Sequence, residues 1–538
     1  VLIAVKIRDM LRRKPGFYLL ISLLSFTLVL IPYLYAAAAA GPEHVFGGFL
    51  LNPVDGNTYL AKMQQGYRGS WRFTLPYTAE PGKGTYLFLY YLFLGHMARI
   101  VGLPLVVCFH LARLAGAAVL LVSLAHFFRS GFEDAPAARL AFALVALGSG
   151  LGWLAAAAGL FTSDFWVAEA YPFLSAFANP HFPLGMALLL WLLAPRGGRS
   201  GFREAFLTAA AALILALVQP FGVVVALVVM GGLLLWEAAA AYRLAPRGGI
   251  SGLWGREELR RLFFQALVTA AAGLPLLVYD QWAALTHPQL AGWNAQNVTP
   301  SPPLWDLLLS ISPALLFALP AAVGVLRGRS EGRFTCMLLV WAGVGLVLLY
   351  LPFGLQRRFM TGLYVPAAGL GALGALSLRR RSKALPQVLL LLSLPTNLLV
   401  LLAGVHAVST HEPEVFLTRG EAAALRWIDT STPPRALVLA APDTGLLIPA
   451  YTGRPVLYGH PFETVNAAAE EQAVLRFYQA EGTGSMSAEE ARRYMQERGV
   501  RYVFWGPRER ALGALPALGD DLQAVYEQDG VTIYAVEY

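Results

Sequence analysis

Charge is scarce in this chain: Asp, Glu, Lys and Arg together make up 14% of its 538 residues, against 57% hydrophobic residues. Soluble globular domains carry about 25% charged residues. That class is therefore excluded, and most of the chain belongs in a bilayer. Cysteine is scarcer still. Cys108 and Cys336 both fall inside apolar runs, which excludes a disulfide framework or a cysteine metal site and leaves two small buried hydrophobes. The sequence also lacks an internal repeat, which weighs against an inverted-repeat transporter. The net charge of +8 does not signal nucleic acid, because the basic residues cluster in short loops between apolar runs. Membrane topology explains those clusters better.

What is present is a succession of long apolar runs. A spanning helix needs roughly 20 such residues. Runs of that kind lie at 17–38, 104–127, 137–161, 181–195, 204–219, 220–242, 260–282, 304–326, 334–351, 359–378 and 385–406, which predicts about eleven spans. Lys6, Arg8, Arg12, Arg13 and Lys14 precede the first run without a cleavage site. They predict a retained anchor with a cytoplasmic N-terminus. Alternation across the membrane then places the basic loops inside: Arg129/Arg139, Arg196/Arg199/Arg203, Arg243 to Arg261, Arg327/Arg329/Arg333 and Arg379/Arg380/Arg381/Lys383. This parity requires that the apolar segment Tyr86–Ile100, which holds Gly95, His96 and Arg99, does not cross. It reads as a juxtamembrane or re-entrant helix.

The polar segments left outside hold the candidate site. The first, Asn52 to Gly84, carries Asp55 ahead of an amphipathic helix with Lys62, Arg68 and Arg72 nearby. A second, Thr162 to Pro183, contains Asp164, Glu169, Asn179 and His181, and a third, Thr286 to Pro303, contains Trp293, Asn294 and Asn297. Arg357 and Arg358 stand at the outer end of a span, where a helix start disfavours cations. Such a pair needs an anion, either a lipid headgroup or a substrate phosphate. Each residue also has a structural reading. Asp55 is a preferred N-cap type, with Asn57 competing for that place and leaving Asp55 just upstream. Asp164 and Glu169 also read as solvated loop acids, Glu169 on a helix. His181 also reads as an interfacial or capping residue, and Trp293, Asn294 and Asn297 as loop packing. His110 and Arg113 lie within a span, paired, snorkelling or facing a cavity.

From residue 411 the composition shifts to that of a soluble domain, external by the same parity. Strands are predicted at Ala436–Ala440, Pro455–Tyr458, Arg501–Trp505 and Val531–Val536, and helices at Arg419–Trp427, Ala467–Gln479 and Ser487–Arg498. Ser487 and Glu490 fit a capping box. Alternating strands and helices predict a small α/β domain over 411–538, behind a membrane domain over 1–410. It has no Gly-rich phosphate loop and no nucleophile elbow. Its turn YTGRPVLYGHPFET brings Arg454, His460 and Glu463 into a segment that either faces the membrane domain or is a plain structural turn.

A long first external loop with an acid before a juxtamembrane helix, a second non-spanning helix (TYLFLYYLFLGHMARI), a second acidic loop and a C-terminal external α/β domain together resemble the GT-C fold glycosyltransferases. The resemblance covers most of the chain in architecture, and its specific motif is one carboxylate in context. It implies sugar transfer from a polyprenyl-phosphate-linked donor to a lipid, glycan or protein acceptor on the external face of the plasma membrane. Family members place the catalytic base in the first loop, which falls on Asp55; the acidic pair many of them have there is missing, because its neighbour is Gly56. The second acidic position falls on Asp164 or Glu169, and the lipid phosphate on Arg357 and Arg358. Lys62, Asn179, His181, Trp293, Asn294 and Asn297 are further candidates for substrate contact. A divalent metal bridging acid and phosphate is compatible with this chemistry, but no ligand spacing demands one. The alternative, a polytopic transporter or lipid translocator, predicts paired ionisable groups at mid-membrane depth.

Overall fold

The computed structural model describes residues 15–195, 201–244, 256–328, 332–479 and 485–537. Of the basic residues used for topology, Lys6, Arg8, Arg12, Arg13, Lys14, Arg196, Arg199, Arg247 and Arg329 lie outside the described residues. The chain divides into two compact units, each gathered from three stretches: 1–32, 112–278 and 299–404 in the first, 33–111, 279–298 and 405–538 in the second.

Seven helices among the described residues are long and apolar enough to cross a membrane: Gly16–Ala39, Leu105–Gly131, Ala135–Ala156, Pro220–Tyr242, Glu257–Thr286, Gln356–Ser377 and Leu385–Ser409. Each coincides with a predicted apolar run. An eighth crossing results if Leu304–Ile311 and Ala314–Leu326, bent by 86° at Ser312–Pro313, count as one span. The proline supplies no N–H to carry the helix through the bend. The runs at 181–195 and 334–351 form shorter helices, His181–Leu193 and Arg333–Leu349. Only 17% of the apolar window of Glu257–Thr286 is buried, whereas 89% of that in Gln356–Ser377 is. Leucines left uncovered on a long helix suit lipid rather than water, so the chain is a multi-pass membrane protein.

In the second unit, Pro53–Tyr67 packs on Leu89–Val101. The two helices meet at glycines: a Cβ on Gly66 would strike the carbonyl of Leu92, and one on Gly95 the carbonyl of Met63. Leu89–Val101 has 13 residues, about 20 Å of helix, too short to span the roughly 30 Å hydrocarbon core. This agrees with its reading as a non-spanning helix.

The C-terminal region holds a four-stranded sheet in the order β3 (Leu437–Leu439), β4 (Val500–Trp505), β6 (Val531–Val536), β5 (Leu522–Gln528). β3 and β4 run parallel and the other neighbours antiparallel. Helices Arg419–Ser431, Ala467–Tyr478 and Ala488–Arg498 form as expected, the last with the Ser487–Glu490 capping box. Three features differ. Pro455–Tyr458 contributes only a bridge, Val456 to Val438, while Pro442–Thr452 is a helix and Leu522–Gln528 an edge strand. β5 escaped notice because Val525, between Ala524 and Tyr526, breaks the alternation that marks a half-buried strand. Its hairpin with β6 turns at Asp529–Gly530, both with positive φ, and Asp-Gly was the legible signal. A short antiparallel pair, β1 (His44–Phe46) with β2 (Phe416–Thr418), ties the segment ahead of Asn52 to the start of the C-terminal region.

Candidate active site

Asp55 lies in the first turn of Pro53–Tyr67, not upstream of the helix. The N-cap is Asn52, with φ 48°, and Asn57 is instead inside the helix, donating to the Pro53 carbonyl at 2.9 Å. Pro53 at the first helical position fixes this start, since its missing N–H has no partner to lose there. Asn52 and Asp55 bond reciprocally. The Asp55 N–H donates to Asn52 Oδ1 at 3.2 Å, and Asn52 Nδ2 donates to Asp55 Oδ2 at 2.6 Å. A carboxylate here also meets the positive end of the helix dipole. The missing second acid has a steric cause: a Cβ on Gly56 would overlap the Phe49 ring.

The turn at 459–464 completes this cluster within the same unit. His460 Nε2 stands 3.7 Å from Asp55 Oδ1, and Lys62 Nζ donates to Glu463 Oε1 at 2.6 Å. Lys62 is fully buried, with its ammonium 4.6 Å from the centre of the Phe88 ring and 5.3 Å from that of Tyr59. It is therefore turned toward Glu463 rather than outward. Trp293 packs in the apolar cluster of Phe73, Leu75, Leu87, Leu92 and Leu290. Asn294 is half-buried in the helix Pro288–Gln296, and Asn297 caps its C-terminus. From that helix Gln296, which the sequence did not single out, donates to the carbonyls of Thr464 and Phe462. Arg454 does not join the cluster. It is buried and spends its guanidinium on the carbonyls of Thr452, Asp429 and Thr432.

The first unit separates the other two acids. Asp164 is completely buried rather than solvated, and it accepts from Thr162 Oγ1 at 2.7 Å and the Gly152 N–H at 3.0 Å. Burial pushes its carboxyl above the ordinary value, against these hydrogen bonds. Ser310 Oγ lies between Asp164 and Asp306, 3.3 Å and 2.7 Å away. Asp306 in turn accepts both the N–H and Oγ of Ser163. Asp306 was missed, although a single acid at the start of an apolar run is a signal in itself. Glu169 sits in a turn, not on a helix. Its carboxylate is 3.5 Å from Arg358 and 3.8 Å from Arg357, whose guanidinium also lies 4.7 Å from the Trp166 ring centre. The arginines thus have a protein anion, which the sequence reading did not supply.

Asn179 is buried at the C-terminus of Pro172–Ala178, and His181 is buried with its ring 3.9 Å from that of Phe182. Arg113 is buried rather than snorkelling: it donates to the carbonyls of Ala176, Phe177 and Val29. His110 Nε2 is 2.8 Å from the Gly48 carbonyl. Among the described residues no three His, Cys, Asp or Glu side chains come together to hold a metal ion.

A multi-pass helical chain with a short helix after an acidic loop and a C-terminal α/β region has the architecture of the GT-C fold. Solved structures agree. The chain is similar to the apo oligosaccharyltransferase of Archaeoglobus fulgidus, with a TM-score of 0.53 and 15% identity over 97% of this chain and 74% of that one. It is also similar to ArnT from Cupriavidus metallidurans bound to undecaprenyl phosphate, with a TM-score of 0.51 and 13% identity over 97% and 98% of the two chains. No protein-family model matches the chain, and neither does any curated protein sequence. The fold is that of the GT-C glycosyltransferases.

Proposed function

We propose that this chain is an integral-membrane glycosyltransferase that moves a sugar from a polyprenyl-phosphate-linked donor to a lipid, glycan or protein acceptor. The reaction takes place at the external face of the plasma membrane, with the N-terminus cytoplasmic and residues 411–538 external. The observation that carries this reading is Asp55: a carboxylate held by Asn52 at a helix N-terminus, in a chain with the GT-C fold. ArnT supplies the donor class, since that protein was solved with undecaprenyl phosphate.

In the reaction an acceptor O–H or N–H gives its proton to Asp55 as its oxygen or nitrogen bonds to the anomeric carbon. The bond from that carbon to the phosphate oxygen breaks, and its electron pair leaves with polyprenyl phosphate. The transfer is a single displacement, which inverts the anomeric centre. Arg357 and Arg358 bind the donor phosphate, whose growing charge suits guanidinium donors. Glu169, 3.5 Å from Arg358 and 3.8 Å from Arg357, holds the two side chains in place.

Reconstituted protein should consume members of a panel of polyprenyl-phosphate hexoses and pentoses and release polyprenyl phosphate. Replacing both Arg357 and Arg358 by Ala should raise the donor KM by about 100-fold or more, since each charge-assisted hydrogen bond contributes roughly 1.5–3 kcal/mol. Failure of the wild-type protein to release polyprenyl phosphate from the whole panel would refute the reading.

A further inference from the structure

The turn at 459–464 fixes the protonation pattern of a buried histidine. His460 Nδ1 accepts the backbone N–H groups of Phe462 and Glu463, both at 3.0 Å. A ring nitrogen that accepts does not carry the proton, so the neutral ring holds it on Nε2. Nε2 faces Asp55 Oδ1 at 3.7 Å, has no hydrogen-bond partner within reach, and belongs to a side chain only 3% exposed. The turn itself is anchored twice: Lys62 grips the Glu463 carboxylate, and Thr464 Oγ1 accepts the His460 N–H at 3.3 Å. The opposite oxygen of Asp55 is already taken by Asn52.

We propose that His460 is a positioning residue for Asp55, donating from Nε2 to Oδ1 and fixing the plane of the carboxylate. Only a small approach is needed to turn 3.7 Å into a hydrogen bond, and catalytic hydrogen bonds are often long before substrate binds. Asn52 and His460 then hold one oxygen each. Because Nε2 already carries its proton, His460 does not receive the acceptor's proton, which stays on Asp55. The proposal rests on the reading of Asp55 as the base.

His460→Asn separates this role from a structural one. The Asn Oδ1 can replace Nδ1 as acceptor for the Phe462 N–H and keep the turn, but nothing replaces the Nε2–H. The variant should keep the wild-type Tm and donor KM and lose kcat by about 100-fold, the scale of an ångström-size misplacement of a reacting group. A second readout needs no turnover. In the full chain in nanodiscs with 15N-labelled histidine, the His460 signal, identified by its loss in His460→Asn, should show the proton on Nε2. Asp55→Ala should shift that Nε2 resonance. A proton on Nδ1, an Nε2 resonance indifferent to Asp55→Ala, or full kcat in a folded His460→Asn would each overturn the proposal. If the wild type consumes no donor, the base assignment falls by itself, and the resonance shift separately decides whether His460 and Asp55 are coupled.

Discussion

Lys62 illustrates how much a single side chain can commit the second unit to one arrangement. An ammonium buried among Tyr59, Phe73 and Phe88 has lost its water and keeps one carboxylate, Glu463, and three ring faces in return. Removing one member of a buried pair leaves the other uncompensated, which costs about 3–5 kcal/mol, whereas replacing both by apolar groups is often neutral. Lys62→Met should therefore lower the Tm by several degrees in thermal unfolding, and Lys62→Met with Glu463→Met should recover most of the loss. A Lys62→Met protein as stable as wild type would show that the pair is not held in this way. Lys62 was legible as a cation near the acid. Its partner was not, because Glu463 is distant in sequence and only the tertiary fold brings them together. The same holds for Glu169 and the arginine pair, which read separately as a loop acid and as cations without an anion.

At the scale of elements, the crossing of Pro53–Tyr67 and Leu89–Val101 places Asp55's helix. Backbone contact at Gly66 and Gly95 leaves no room for a side chain. Gly95→Leu should force the helices apart and cost about 1–3 kcal/mol or more, as overpacking does. Gly343→Ala, in the first unit's helix Arg333–Leu349 where a Cβ meets nothing within 4 Å, should leave the Tm unchanged or slightly raised. Comparable Tm values for the two variants would contradict the crossing.

Elements differed in how openly the sequence announced them. The long apolar helices were plain, because lipid demands an unbroken run and little else. The start of the Asp55 helix was misread by a few residues. Two asparagines flank that turn, and the decisive cue was Pro53, which is favoured at a first helical position. β5 was hidden by its exposure at a sheet edge, while β3, β4 and β6, buried and rich in branched or aromatic residues, were visible.

Over the whole molecule, likeness to two solved structures at 13% and 15% identity extends along 97% of the chain. What persists at that distance is the fold, which hydropathy can specify through many different residues. The catalytic assignment depends instead on one carboxylate and its immediate neighbours, so it is tested at that residue. The most direct measurement is release of polyprenyl phosphate from a labelled polyprenyl-phosphate sugar by reconstituted wild-type protein and by Asp55→Asn, with donor binding measured alongside. Loss of a general base lowers kcat by about 10²–10⁴-fold; we expect a fall of that size in Asp55→Asn with donor binding intact. Undiminished release by a folded, membrane-inserted Asp55→Asn protein would contradict the account.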